Sequence, residues 1–301
     1  MQDIFESEVA VAHVNGVDIA YQSFGNEAAA PLILIMGLGS QMVLWDPEFC
    51  RQLAAGGYRV IRFDNRDIGL STRLDWMPVP DSSAVAAALL RGEAPALPYT
   101  LEDMAMDTVQ LLTALGYDRA HIVGESMGGM IGQLMAIHFP ERLLSLTSIM
   151  SSTGSPLLPP PSPEALEILS APFPTDHDGY IESFVKAYKV LSGPAMPLNE
   201  ALARRWAEQS HARGLNPAGV ARQFTAVMAA GDRTEKLKAV GVPTLVIHGA
   251  ADPLLPVECG MATAAAIPGS RLTIIQGMGH ALPEAVWPQI IDEITRHAVH
   301  T

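Results

Sequence analysis

Two hydrophobic periods alternate along this chain. Short continuous apolar runs, "PLILIMG" at 31–37, "HIVG" at 121–124, "LLSLTSI" at 143–149, "PTLVIHG" at 243–249 and "RLTIIQG" at 271–277, read as buried strands. "RVIRFDNRD" at 59–67 is a further strand running into a polar loop. Between them lie stretches with helical spacing, the clearest being Leu101, Ala105, Thr108, Leu111, Leu112 and Leu115. Thr100 followed by Asp103 predicts a capping box at its start. Shorter helices are predicted from Asp46 to Gly56-Gly57, from Met127 to just before Pro140, and from Glu284 to Ala298. Near the N-terminus, two strand-like runs flank Asn15-Gly16, a hairpin signal because both residues tolerate positive φ. Strand, helix, strand, helix is the order of an α/β protein with a mostly parallel sheet and helices on both faces.

The rhythm breaks between residues 151 and 240. "SPLLPPPSPE" at 155–164 is too rich in proline for a core strand, and helical patterns follow it. The expected division is a core of residues 1–150 and 241–301, with residues 151–240 forming a helical cap folded over the sheet.

Composition adds bounds. The chain has 301 residues, 49% of them hydrophobic, which suits a large buried core. A formal net charge of −13 disfavours nucleic acid and a polybasic membrane surface. Cys50 and Cys259 lack metal-ligand or disulfide spacing, and no signal peptide or bilayer-length apolar run is evident. A cytoplasmic protein without a membrane span is the expectation, with a homodimer possible.

The chemistry centres on Gly124-Glu125-Ser126-Met127-Gly128, between the strand at 121–124 and the predicted helix. Strand–turn–helix context is what a nucleophilic serine needs: a sharp turn, small neighbours and a helix N-terminus beside developing negative charge. Such a serine needs a base, and the base needs an acid to orient it. Asp252 and His280 both lie in loops just after predicted strands, giving the chain order Ser126, Asp252, His280. Backbone N–H groups of Met127 and Leu38 are the expected oxyanion donors, Leu38 lying in the glycine-containing loop at 36–40. Trp45, shortly after that loop, is a candidate pocket wall.

From "ILIMGLGS" through "GESMGG" and "HGAADPLLP" to "GMGHALP", the chain resembles the α/β-hydrolase family over almost its whole length. "FDNRDIGLST" at 63–72 resembles the D-x-R-x-x-G-x-S loop of many members. With "GMGHALP" it is most similar to the subgroup containing aclacinomycin methylesterase. The resemblance implies a mostly parallel eight-stranded sheet with a helical cap. It also implies serine-dependent hydrolysis of a carboxylic ester, while the apolar, proline-rich insertion points to a small to medium, partly hydrophobic one. His and Cys lack paired metal-ligand spacing and no dinucleotide fingerprint is evident, so no metal or cofactor is expected. Many members carry His-Gly where this chain has Met36-Gly37, so the oxyanion loop is held without that imidazole.

A serine at the elbow argues against epoxide hydrolysis and haloalkane dehalogenation, which use aspartate there. Lactonase, carbon–carbon bond hydrolase, perhydrolase or haloperoxidase activity, and a non-catalytic ligand receptor, all share the triad pattern. His121 and His248 read as structural and Glu125 carries no assigned chemistry. Asp64, Arg66 and Asp67 read as an ion-paired loop bracing the oxyanion region.

Overall fold

The computed structural model describes residues 4–171, 173–193, 195–196 and 199–299. Eight strands form one sheet: β1 (Ala10–Val14), β2 (Val17–Phe24), β3 (Ala30–Ile35), β4 (Tyr58–Phe63), β5 (Ala120–Glu125), β6 (Leu143–Ile149), β7 (Thr244–Gly249) and β8 (Arg271–Ile275). Their spatial order is β1-β2-β4-β3-β5-β6-β7-β8. β2 runs antiparallel to β1 and β4, and all later pairings are parallel. The Asn15-Gly16 turn joins β1 to β2 with both residues at positive φ.

The central strands are continuous apolar runs because both faces are covered. Successive β3 side chains point to opposite sides. Leu32 and Leu34 join Phe49, Leu53, Trp287 and Ile290 on one face. Ile33 and Ile35 join Leu111, Leu112, Ile131 and Leu134 on the other. The first face is covered by α1 (Pro47–Ala55) and the C-terminal helix Trp287–Val299. The helix at Ser82–Leu90, α2, has no sequence signal of the amphipathic kind: "SSAVAAALL" is nearly all small and apolar, and only Val85 is buried. Asp81 starts it by accepting from Ser83 and Ala84 N–H. α3 (Leu101–Ala114) and α4 (Met127–His138) cover the second face, and α3 opens with the Thr100/Asp103 capping box.

Five helices separate β6 from β7: α5 (Pro163–Ser170), α6 (His177–Ser192), α7 (Glu200–Arg213), α8 (Pro217–Ala229) and the short α9 (Thr234–Leu237). Tyr180, Ile181, Val185, Ala203 and Ala207 give α6 and α7 a small core of their own. Ala226 of α8 and Leu237 of α9 instead join the core beneath the sheet. α10 (Val257–Ala266) and the closing helix, α11, complete the chain. Among the described residues no helix is long and apolar enough to cross a membrane.

Candidate active site

β5 ends at Glu125 and α4 begins at Met127, so Ser126 alone makes the turn. It does so at φ 53°, a left-handed conformation costly for a residue with a Cβ. Its N–H bonds the Ile149 carbonyl at 2.9 Å. Its own carbonyl accepts from Gly129 N–H at 2.9 Å and the Ser151 hydroxyl at 2.8 Å. The flanking glycines follow from close approach. A Cβ on Gly124 would lie 2.1 Å from the Gly128 oxygen, and one on Gly128 would lie 2.2 Å from the Ile35 oxygen.

Loops after β7 and β8 bring two further groups to this turn. His280 Nε2 lies 2.9 Å from Ser126 Oγ, and its Nδ1 lies 2.7 Å from Asp252 Oδ2. Asp252 Oδ1 accepts from Leu254 and Leu255 N–H at 2.9 and 2.8 Å, which fixes the carboxylate plane. Burial pushes the Asp252 carboxyl up, but the charges and hydrogen bonds of His280 and His248 outweigh it and hold it well below the usual range. Burial opposes protonation of His280, while the Asp252 carboxylate wins and raises its pKa. An imidazole that gains a proton here is therefore stabilised by its neighbour.

Leu38 and Met127 face the same cavity as Ser126. A Cβ on Gly37 would lie only 3.3 Å from the Ser126 Cβ, so the loop after β3 runs alongside Ser126. Neither Leu38 N–H nor Met127 N–H has a protein acceptor among the described residues. Both donors are free for a ligand oxygen.

The loop after β4 ties this region together. Asn65 Nδ2 donates to the Met36 carbonyl at 3.1 Å, and Asp64 accepts from Met42 N–H at 2.7 Å. Gly69 is required because a Cβ there would meet the Asp64 carboxylate at 2.3 Å. The same loop reaches into the helical segment: Asp64 pairs with Arg213 and Asp67 with Arg222, the latter at 2.8 and 2.9 Å. Gln223 of α8 accepts from Gly39 N–H at 2.9 Å and donates to the Arg66 carbonyl at 2.9 Å.

Trp45 does not line the cavity. The 3-10 turn at Met42–Leu44 presents Leu44 to it and sends Trp45 into the core, stacked 5.5 Å from Phe49. The indole in the wall is Trp206, held by Asp46 at 3.0 Å. His121 is remote from the site and bonds Ser145 at 2.9 Å. His248 is closer than its strand position suggested: Nε2 lies 2.7 Å from the Leu255 carbonyl and 3.3 Å from Asp252 Oδ2. The i,i+4 spacing of His248 and Asp252 across a strand end was the only sequence signal for that contact. Helix α6 also reaches the site, since its Leu191 and Ser192 carbonyls accept from His280 and Gly279 N–H at 2.6 and 3.0 Å. A main-chain contact of that kind leaves no trace in side-chain identity.

The cavity above Ser126 has a volume of about 330 Å³. Core residues Leu38 and Met130 meet helical-segment residues Leu169, Phe184, Trp206 and Phe224 across it.

Comparison with known proteins agrees with this architecture. A family model described as the alpha/beta hydrolase fold matches residues 30–284. Rhodomycin D methylesterase DauP of Streptomyces sp. (strain C5) is 33% identical, the alignment covering 92% of this chain and 93% of that protein. A putative carbamate hydrolase RutD of Caulobacter sp. (strain K31) is 28% identical, over 89% of this chain and 91% of that one. Among solved structures, a hydrolase from Pseudomonas aeruginosa PA01 superposes with a TM-score of 0.71 at 25% identity, covering 98% of this chain and 99% of that one. With its sheet order, elbow and nearly full-length match, this chain belongs to the α/β hydrolase fold family.

Proposed function

We propose that this protein is a serine carboxylic ester hydrolase that works through an acyl-enzyme on a small to medium, partly hydrophobic ester. One observation carries the reading: the hydrogen-bonded series Ser126–His280–Asp252 lies at the floor of an apolar cavity. His280 Nε2 takes the Ser126 proton as Oγ attacks the ester carbonyl. The carbonyl oxygen becomes an oxyanion, stabilised by Met127 and Leu38 N–H. Asp252 holds the imidazole tautomer and stabilises the imidazolium, which then protonates the departing alkoxide. Water, deprotonated by the same nitrogen, attacks the acyl-Ser126 carbonyl and releases the acid. The methylesterase relatives support an ester as the scissile group. The lining residues contributed by 151–240 support its role as a cap over the site.

A fluorophosphonate should add its phosphonyl mass to the peptide containing Ser126, and p-nitrophenyl acetate should be turned over. Ser126→Ala should lose the label and lower kcat by about 10⁴-fold or more while keeping its fold. A folded Ser126→Ala protein that still turns over the ester refutes the reading.

A further inference from the structure

Among the described residues, the cavity above Ser126 contains one carboxyl group, and the hydrolytic steps leave it idle. Glu125 directly precedes the nucleophile and lines the cavity beside Ser126 and His280. The elbow does not require a glutamate there, because its tight approaches fall on Gly124 and Gly128. Among the described residues Glu125 is the only carboxylate in a lining that is otherwise largely aliphatic and aromatic. The buried acids among the described residues are paired: Asp46 with Arg205, Asp64 with Arg213, Asp67 with Arg222, Asp107 with Arg66 and Asp252 with His280. Glu125 has no side-chain hydrogen bond or ion pair among the described residues, and only the charge of His280 acts on it. The side chain is half-buried, and a carboxylate without a protein partner in apolar surroundings gains from a bound ligand that brings a counter-charge.

The neighbouring wall has matching chemistry. Phe184 and Tyr188 stack at 6.0 Å with an 8° interplanar angle, and Trp206 meets Tyr188 edge-on at 5.4 Å. All three line the cavity. The Tyr188 phenol is raised first by burial and next by the charge of Glu125, so carboxyl and aromatic cluster are neighbours. Aromatic faces attract cations through their quadrupole.

We propose that Glu125, Phe184, Tyr188 and Trp206 form a subsite for an ammonium group, and that the ester this enzyme selects is cationic. The proposal rests on the ester-hydrolase reading above. A substrate ammonium supplies the counter-charge that the protein itself omits. Burial lifts the free Glu125 carboxyl to about 7, so the anionic form that attracts the cation grows across neutral pH.

The test uses two p-nitrophenyl esters of equal shape, one acyl chain ending in trimethylammonium and the other in tert-butyl. The ratio of their kcat/KM values cancels the shared dependence on His280. In the wild type that ratio should favour the cationic ester by about tenfold at pH 8, in the range of a desolvated cation–carboxylate and cation–π contact. It should shrink towards pH 6 as Glu125 protonates. Glu125→Gln should lower it to the part that the aromatic rings supply and make it independent of pH, and Glu125→Asp should restore part of the loss. A wild-type ratio near one at both pH values overturns the subsite without a variant. So does a ratio that Glu125→Gln leaves unchanged, which would confine Glu125 to acting on His280. If the wild type hydrolyses neither ester and takes no fluorophosphonate label, the ester-hydrolase reading fails and the subsite fails with it.

Discussion

Ser126 departs from an unstrained backbone because β5 must hand over to α4 within one residue, with Ile149 and Ser151 holding the turn from β6 and the loop after it. His280 and Asp252 are each positioned by at least one main-chain bond of their own. The coupled pair makes a prediction about pH. The base must be neutral to accept the Ser126 proton, and Asp252 raises the His280 pKa above its ordinary value. kcat/KM should therefore rise with pH through an inflection above that of a free histidine. Asp252→Asn removes the charge that raises it and invites the wrong tautomer. The inflection should move to lower pH and the rate should fall by about 10⁴-fold. A pH–rate profile on one activated ester checks both statements. An unmoved inflection with near wild-type rate would assign the acid to another carboxylate.

At the scale of elements, the loop after β3 that carries Leu38, the proposed oxyanion donor, is held from two sides. Asn65, after β4, holds the Met36 carbonyl, while Gln223 of α8 holds Gly39 N–H one residue beyond Leu38. Gly39 sits at φ 68°, and a Cβ on it would lie 3.1 Å from the Val220 side chain, so the loop passes close to α8. Gln223→Leu keeps the volume but leaves Gly39 N–H and the Arg66 carbonyl without partners. Each buried unsatisfied group costs about 1–3 kcal/mol, and the loop can relieve that only by shifting. The expected result is a fall in kcat of about tenfold with little change in KM, together with weaker binding of a boronate that mimics the tetrahedral intermediate. Equal losses in substrate and boronate affinity would reduce Gln223 to a packing residue.

Across the whole molecule, the helices between β6 and β7 are fastened to the sheet by buried charge. The Arg222 and Asp67 side chains are 1% and 0% exposed, and the pair bonds in two places. Burial pushes the Asp67 carboxyl up, and the Arg222 hydrogen bonds bring it below its ordinary value. Removing one partner strands the other in the interior. Arg222→Met should cost about 3–5 kcal/mol of stability, and Arg222→Met with Asp67→Asn should recover much of that loss. Urea denaturation of the two variants measures it. Additive losses would show that the pair does not couple.

Local pattern determined much of this protein. Mostly apolar runs identify the central strands because a parallel sheet buried on both faces leaves few polar positions. The Gly-x-Ser-x-Gly turn is legible because only glycine fits where a Cβ would lie 2.1 or 2.2 Å from a backbone oxygen. The order Ser126, Asp252, His280 is legible because strand ends in this topology converge on one edge of the sheet. What the sequence left open depends on partners far along the chain. Trp45 and Leu44 are equally apolar, and a single 3-10 turn decides that one enters the core and the other the cavity. Gln223 and Arg222 look like ordinary polar residues of a helix until residues some 150 positions earlier, Arg66 and Asp67, come to meet them. Glu125 shows no chemistry in its motif, since the turn tolerates any side chain there. Only the tertiary structure sets it in a cavity also lined by Phe184 and Tyr188 of α6 and Trp206 of α7, with no ion-pair partner among the described residues, because side-chain environment is a property of the folded cavity and not of neighbours in sequence.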